Sequence, residues 1–213
     1  MSEFQVLQGD SRILLPPVLA QQKKKIAFVT DPPYHKNMDP NYGRFIGYGA
    51  VKERNFADIN TDTFDPNWLL GLSKKLCIWG YPYFADKLPI ASNIVWIKKR
   101  DSKIGKFAFG DAEIAWITSG QIGVYAFFYE WDGYLKAEKT IRCHPTQKPV
   151  ELFAWCIRKL KINPDEYIVV DPYLGSGACG IAALRLGYDF IGCEITEEYA
   201  AIATKNITEN LLK

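Results

Sequence analysis

No stretch of this chain is apolar for long enough to cross a membrane. Runs such as 13-ILLPPVLA-20 fall well short of the roughly 18 residues a spanning helix needs. The start, 1-MSEFQVLQGD-10, lacks the basic-then-apolar order of a secretory leader, so a soluble cytoplasmic chain is expected. There is no CxxC pair. Cys77, Cys143, Cys156, Cys179 and Cys193 are scattered and odd in number, which argues against a disulfide framework and a zinc cluster and for reduced, buried thiols. No repeat, low-complexity tract or Ser/Gly/Pro-rich linker divides the 213 residues, so a single domain spanning 1–213 is expected. Neither charge sign dominates: a net charge of +2 leaves the choice of partner open.

What is present is an alternation of extended apolar runs and helical patterns. Strands are expected at 4-FQVLQ-8, 26-IAFVT-30, 76-LCIWG-80, 93-NIVWIKK-99, 112-AEIAWIT-118, 167-YIVVD-171 and 189-DFIGCE-194. Helices are expected from Ser11, near 66–75, at 81–88, from about Pro149 to Leu160, from Ala178 to Leu186 and over 197–212. Such alternation predicts an α/β fold, a doubly wound, mostly parallel sheet of seven strands covered on both faces, whose ligands bind beyond the carboxyl ends of its strands. Four acids gather at that edge: Asp10, Asp31, Asp171 and Glu194. Asp10 alone reads equally well as a helix cap.

Two stretches stand out beside those acids. In 171-DPYLGSGACGIAALRLG-187 a strand runs through Gly175, Ser176 and Gly177 into a helix of small residues, which permits a tight turn and close approach of a ligand to the backbone. No GK[ST] accompanies it, which argues against a phosphate-gripping loop, and Glu194, 17 residues past Gly177, lies near the position from which a carboxylate reaches ribose hydroxyls. In 30-TDPPYHK-36 the prolines end a strand and leave a stiff Asp-Pro-Pro-Tyr platform. Lys98, Lys99, Arg100, Lys103 and Lys106 crowd a stretch with one acid, Asp101, and are candidate phosphate contacts, whereas 23-KKK-25 reads as a solvated loop.

Together, 31-DPPY-34, 144-HPTQKPVELF-153 and 171-DPYLGSG-177, supported by 8-QGDS-11 and 189-DFIGCEI-195, resemble the S-adenosylmethionine-dependent amino-methyltransferases that act on exocyclic base nitrogens in DNA. The catalytic motif precedes the glycine loop, as in that family's beta class. The resemblance covers about Gln8 to Leu211 and is weakest over 35–65 and 119–142. It implies a Rossmann-like methyltransferase sheet with one antiparallel strand, S-adenosylmethionine as cofactor, no metal, and base flipping. It further implies a DNA substrate, a bacterial, archaeal or viral origin, and a homodimer or partner subunit without membrane association.

By the same resemblance, Asp31 and the Pro32 carbonyl accept the hydrogens of the target amine, Pro33 stiffens the turn, and Tyr34 stacks on the flipped base. Asp171, Tyr173 (where the family more often has Phe), Gly175, Ser176 and Gly177 match the loop holding the methionine end of the cofactor. Glu194 matches the ribose acid, Asp10 the acid near the adenine amine, and Thr146, Gln147 and Lys148 the motif closing over the methionine carboxylate. HPTQKP also reads as a helix N-terminal turn, with Pro149 opening the helix. Residues 35–65, carrying Arg44, Lys52 and Arg54, are expected to form a mobile loop over the DNA. The short insert 119–142, rich in aromatics, is expected to form local core or a self-association surface ahead of direct base readout.

Asp before Pro32 favours adenine N6 as target. Cytosine N4, an RNA substrate, a catalytically silent nucleic-acid-binding subunit and, more weakly, a nucleotide-dependent oxidoreductase remain as alternatives.

Overall fold

The computed structural model describes residues 2–33, 64–99, 110–131 and 143–211. Among these residues eight strands form one sheet: β1 (Phe4–Gln8), β2 (Lys25–Thr30), β3 (Lys75–Trp79), β4 (Ser92–Ile97), β5 (Ala112–Ile117), β6 (Val124–Phe128), β7 (Tyr167–Asp171) and β8 (Phe190–Glu194). Their order is β1-β8-β7-β2-β3-β5-β4-β6. Of the described strands only β5 runs against its neighbours, pairing antiparallel with both β3 and β4. The α/β class and the single antiparallel strand hold. The seven strands expected from the sequence become eight because 124–128 adds to the edge, with Asn93 opposite Val124 and Ile97 opposite Phe128.

Burial explains which strands the sequence announces. The central strands β2, β3, β7 and β8 are buried almost throughout, as strands covered on both faces must be, and read as continuous apolar runs. Strand β6 alternates exposed and half-buried positions among turn-prone neighbours, which gives a weaker signal.

Successive residues of a strand face opposite sides, so β2 feeds two cores. Ala27 and Val29 join Cys77, Trp79, Leu152, Cys156, Ala182 and Ile207 under helices α3 (Val150–Lys159), α4 (Ala178–Arg185) and α5 (Glu197–Leu211). Phe28 joins Leu15, Leu69, Ile78 and Ile191 under α1 (Ser11–Leu19) and α2 (Asn67–Leu72). In the described part of the aromatic insert, Phe127 lies 5.0 Å from the Trp155 ring of α3 and 5.6 Å from Tyr129, and Trp131 Nε1 donates to the Gln147 carbonyl at 3.1 Å.

The chain leaves β2 toward β3 and leaves β7 toward β8, so the connections diverge between the adjacent strands β2 and β7. A crevice opens at the carboxyl ends of such a pair. Among the described residues no helix is long and apolar enough to cross a membrane.

Candidate active site

The crevice between β2 and β7 brings together two of the four acids. Thr30, the last residue of β2, donates its hydroxyl to Asp171 Oδ1 at 2.7 Å, and the Tyr173 amide donates to the same oxygen at 3.1 Å. Asp171 is buried, and burial pushes its carboxyl up to about 7 against these two hydrogen bonds, with the charges of Asp31 and Glu194 adding to the rise.

Asp31 begins the Asp-Pro-Pro turn one residue further on, with Pro32 buried behind it. Its side chain is 14% exposed, and Oδ2 takes the Lys148 ammonium at 2.5 Å. The other oxygen, Oδ1, is buried without a hydrogen-bond partner. Burial raises the Asp31 carboxyl to about 6, with Lys148 pulling it down and Glu113 pushing it up. A buried carboxylate oxygen with no donor is rare in a folded protein unless something outside the chain completes it.

Glu113 was not among the residues singled out by sequence, although it is the one acid in the otherwise apolar 112-AEIAWI-117. Its two oxygens bridge Lys148 Nζ at 3.0 Å and Lys98 Nζ at 2.9 Å. Burial opposes its ionisation, but the two ammonium groups outweigh it and hold the carboxyl at about 2.

The glycine loop turns through left-handed backbone at Gly175 (φ 52°) and Gly177 (φ 83°) before α4 begins. A Cβ on Gly177 would stand 3.0 Å from the Ala203 carbonyl of α5, so the residue is required by close packing as well as by its conformation. Glu194, at the end of β8, accepts the Gly175 amide on Oε2 at 2.8 Å and the Thr196 amide on Oε1 at 3.0 Å. Each oxygen keeps lone-pair capacity, since an ionised carboxylate offers about four acceptor sites. Ser176 is buried, and its carbonyl receives Asn206 Nδ2 at 2.9 Å.

His144 lies between loop and helix, its ring 3.4 Å from where a Gly175 Cβ would be and edge-on to Tyr199 at 4.4 Å between centroids. Thr146 Oγ1 contacts His144 Nδ1 at 3.2 Å and Gln147 Oε1 accepts the Cys143 amide at 2.9 Å. Thr146 and Gln147 thus brace the turn that leads into α3. Lys148, expected over a cofactor carboxylate, instead directs its ammonium to Asp31 and Glu113.

Asp10 caps α1: its Oδ1 accepts the Arg12 amide at 2.9 Å, and the Arg12 guanidinium meets Oδ2 at 2.8 Å, which holds the carboxyl below its ordinary value. This matches the cap reading and leaves the acid on the shared strand edge. The expected phosphate contacts at Lys98 and Lys99 need revision. Lys98 is paired with Glu113, and Lys99, 4% exposed at its side chain, with Asp111 at 2.8 Å, so both are held by protein carboxylates. Tyr34, Arg44, Lys52, Arg54, Arg100 and Lys103 lie outside the described residues, as do most of 35–65 and the second half of 119–142.

The donor set suits a ligand that is cationic or rich in hydroxyls. Asp171, Glu194 and Asp31 line neighbouring parallel strand ends, and the lysine beside them is neutralised by two carboxylates, a setting that repels phosphate. Among the described residues no cluster of His, Cys, Asp and Glu is placed to hold a metal ion.

Known proteins resemble this chain in sequence and in fold. The type II methyltransferase M2.LlaDCHI of Lactococcus lactis subsp. cremoris is 40% identical over 81 residues, 37% of this chain and 29% of that protein. M2.DpnII of Streptococcus pneumoniae is 42% identical over 79 residues, 36% of this chain and 29% of that protein. The matched segment therefore spans less than a third of either relative. Among solved structures, the M1.HpyAVI–SAM complex superposes with a TM-score of 0.60 at 23% identity, covering 96% of this chain and 98% of that one. The PvuII cytosine-N4-specific DNA methyltransferase does so with a TM-score of 0.57 at 17% identity, covering 99% and 92%. At these identities the likeness establishes the fold. The DNA methylase model for N6 and N4 methyltransferases matches residues 95–205, more than half of the sequence, and with it the chain belongs to the DNA amino-methyltransferase family.

Proposed function

We propose that the protein methylates the exocyclic N6 of adenine in DNA, with S-adenosylmethionine as methyl donor. The observation that carries this reading is Asp31 Oδ1, a buried carboxylate oxygen with no donor, one residue past the end of β2 where the β2–β7 crevice opens. A base amine is a poor nucleophile because its lone pair is delocalised into the ring. Asp31 Oδ1 and the Pro32 carbonyl accept its two hydrogens, so the nitrogen pyramidalises and its lone pair is freed for in-line attack. The cofactor, when bound, would supply a methyl group activated by its sulfonium, with the neutral thioether as the leaving group. Asp31, whose buried carboxyl is raised to about 6, would take the proton that the nitrogen releases.

Glu194, Asp171 and the Gly175–Gly177 loop are the residues that would hold the cofactor. The two vacant acceptor sites of Glu194 suit ribose hydroxyls, and the carboxylate-lined edge suits a cation. Tyr34 supplies the stacking surface for a flipped base, and DNA phosphate contact is assigned to Arg44, Lys52, Arg54, Arg100 and Lys103.

The test is to incubate the protein with unmethylated DNA and S-adenosylmethionine, digest to nucleosides and quantify methylated bases by mass spectrometry. N6-methyladenine with wild type and none with Asp31→Ala supports the reading. N4-methylcytosine instead would retain the chemistry and replace the base. No methylated base from a protein that binds the cofactor would overturn it in favour of RNA or a silent subunit.

A further inference from the structure

We infer that Lys148 and Glu113 are positioning residues for Asp31: Glu113 anchors the Lys148 ammonium on Asp31 Oδ2, which leaves Oδ1 as the acceptor presented to the substrate amine. This rests on the methyl-transfer reading of Asp31 and assigns a device to it that neither the motif nor the family match supplies.

The geometry is a chain of charges drawn from four elements. Lys98, just past the end of β4, meets Glu113 on β5 at 2.9 Å; Glu113 meets Lys148, two residues before α3, at 3.0 Å; and Lys148 meets Asp31, just past β2, at 2.5 Å. The Lys148 side chain is 5% exposed and lies 5.8 Å from the Trp79 ring of β3, so its ammonium is confined on the side of the sheet where Asp31 begins its turn. Asp171, at the end of the adjacent strand β7, feels the Asp31 charge and is tied to Thr30. Without an anchor, a lysine at this position could swing to Oδ1 or bridge both oxygens and block the amine. A buried ion pair of this kind is weak evidence of stabilisation, because the desolvation of both charges offsets their attraction, but it is well suited to fixing orientation.

The two residues act on Asp31 with opposite signs. The Lys148 charge favours the carboxylate and the Glu113 charge disfavours it. The balance keeps Asp31 ionised at neutral pH, yet still basic enough to take a proton.

The experiment is a 13C titration of the Asp31 carboxyl by NMR, assigned with Asp31→Asn, on protein without cofactor or DNA. Wild type titrates near 6. Lys148→Met raises the midpoint by about one pH unit or more. Glu113→Gln lowers it, and Lys148→Arg keeps it close to wild type. Opposite shifts are not produced by a merely structural role. If Lys148→Met does not fold, Glu113→Gln and Lys148→Arg decide the matter by themselves. An unmoved midpoint in Glu113→Gln overturns the inference, as does a shift of Lys148→Met and Glu113→Gln in the same direction. So does a Lys148→Arg variant that loses cofactor affinity in calorimetry while Asp31 titrates as in wild type. Because the titration needs no turnover, a protein that methylates nothing would sink the functional reading and leave this coupling separately decided.

Discussion

The Thr30 hydroxyl donates to Asp171 Oδ1 at 2.7 Å, joining the ends of two adjacent parallel strands across the point where their connections diverge. This bond closes the floor of the crevice and holds a buried acid whose carboxyl burial has pushed to about 7. A carboxyl raised above its unfolded value contributes stability that is full below the unfolded value and lost as pH rises through the folded one. Asp171 should therefore destabilise the fold progressively between about pH 4 and pH 7. Asp171→Asn, which keeps an acceptor for Thr30 and Tyr173, should raise the melting temperature at pH 8 and change it little at pH 4. Thermal melts of both proteins across that range decide it; an equal effect at both ends would refute it.

Asp31 predicts the pH dependence of the reaction. Its carboxyl sits at about 6, and in the proposed reaction the ionised form accepts the amine, so the single-turnover methylation rate should fall about tenfold per pH unit below that value. Asp31→Asn should remove this limb together with nearly all activity. A flat profile from pH 5 to pH 8 would separate the acid from the chemistry.

Glu194 faces two backbone amides, one on each oxygen. Glu194→Gln must turn an NH2 group toward one of them, leaving two donors opposed. Affinity for S-adenosylmethionine should drop by about tenfold or more, equivalent to roughly 1.4 kcal/mol, measured by calorimetry. Unchanged affinity would take Glu194 out of the cofactor site.

At Gly177, a side chain would both strain the backbone at φ 83° and strike the Ala203 carbonyl at 3.0 Å. Gly177→Ala should lose about 2 kcal/mol or more in denaturant unfolding, since α5 must shift to admit the methyl. A loss no greater than at an exposed helical site would show that the two helices slide freely.

Lys99 is inward and paired with Asp111. Lys99→Gln should lower stability while leaving unchanged the slope of log K against log salt for DNA binding, because no phosphate contact is lost. A shallower slope would restore Lys99 to the DNA surface.

What the sequence determined is local. The strand-ending Asp-Pro-Pro turn, the glycine loop entering α4, the Asp10 cap and the near-continuous apolar strands β2, β7 and β8 are each set by neighbouring residues whose steric and hydrogen-bonding demands act within a few positions. So the α/β class, the strand edge and the acids on it follow from the chain alone. Only the tertiary structure decided which of these groups meet. Lys148 and Asp31 are 117 positions apart, Glu113 arrives on the one antiparallel strand, and Lys98 and Lys99 turn inward because carboxylates on β5 and just before it lie opposite them. A charge run looks the same in sequence whether it faces solvent or a buried acid. Its partner is chosen by sheet order and register, which depend on contacts between distant segments, and those contacts made Lys148 a neighbour of Asp31.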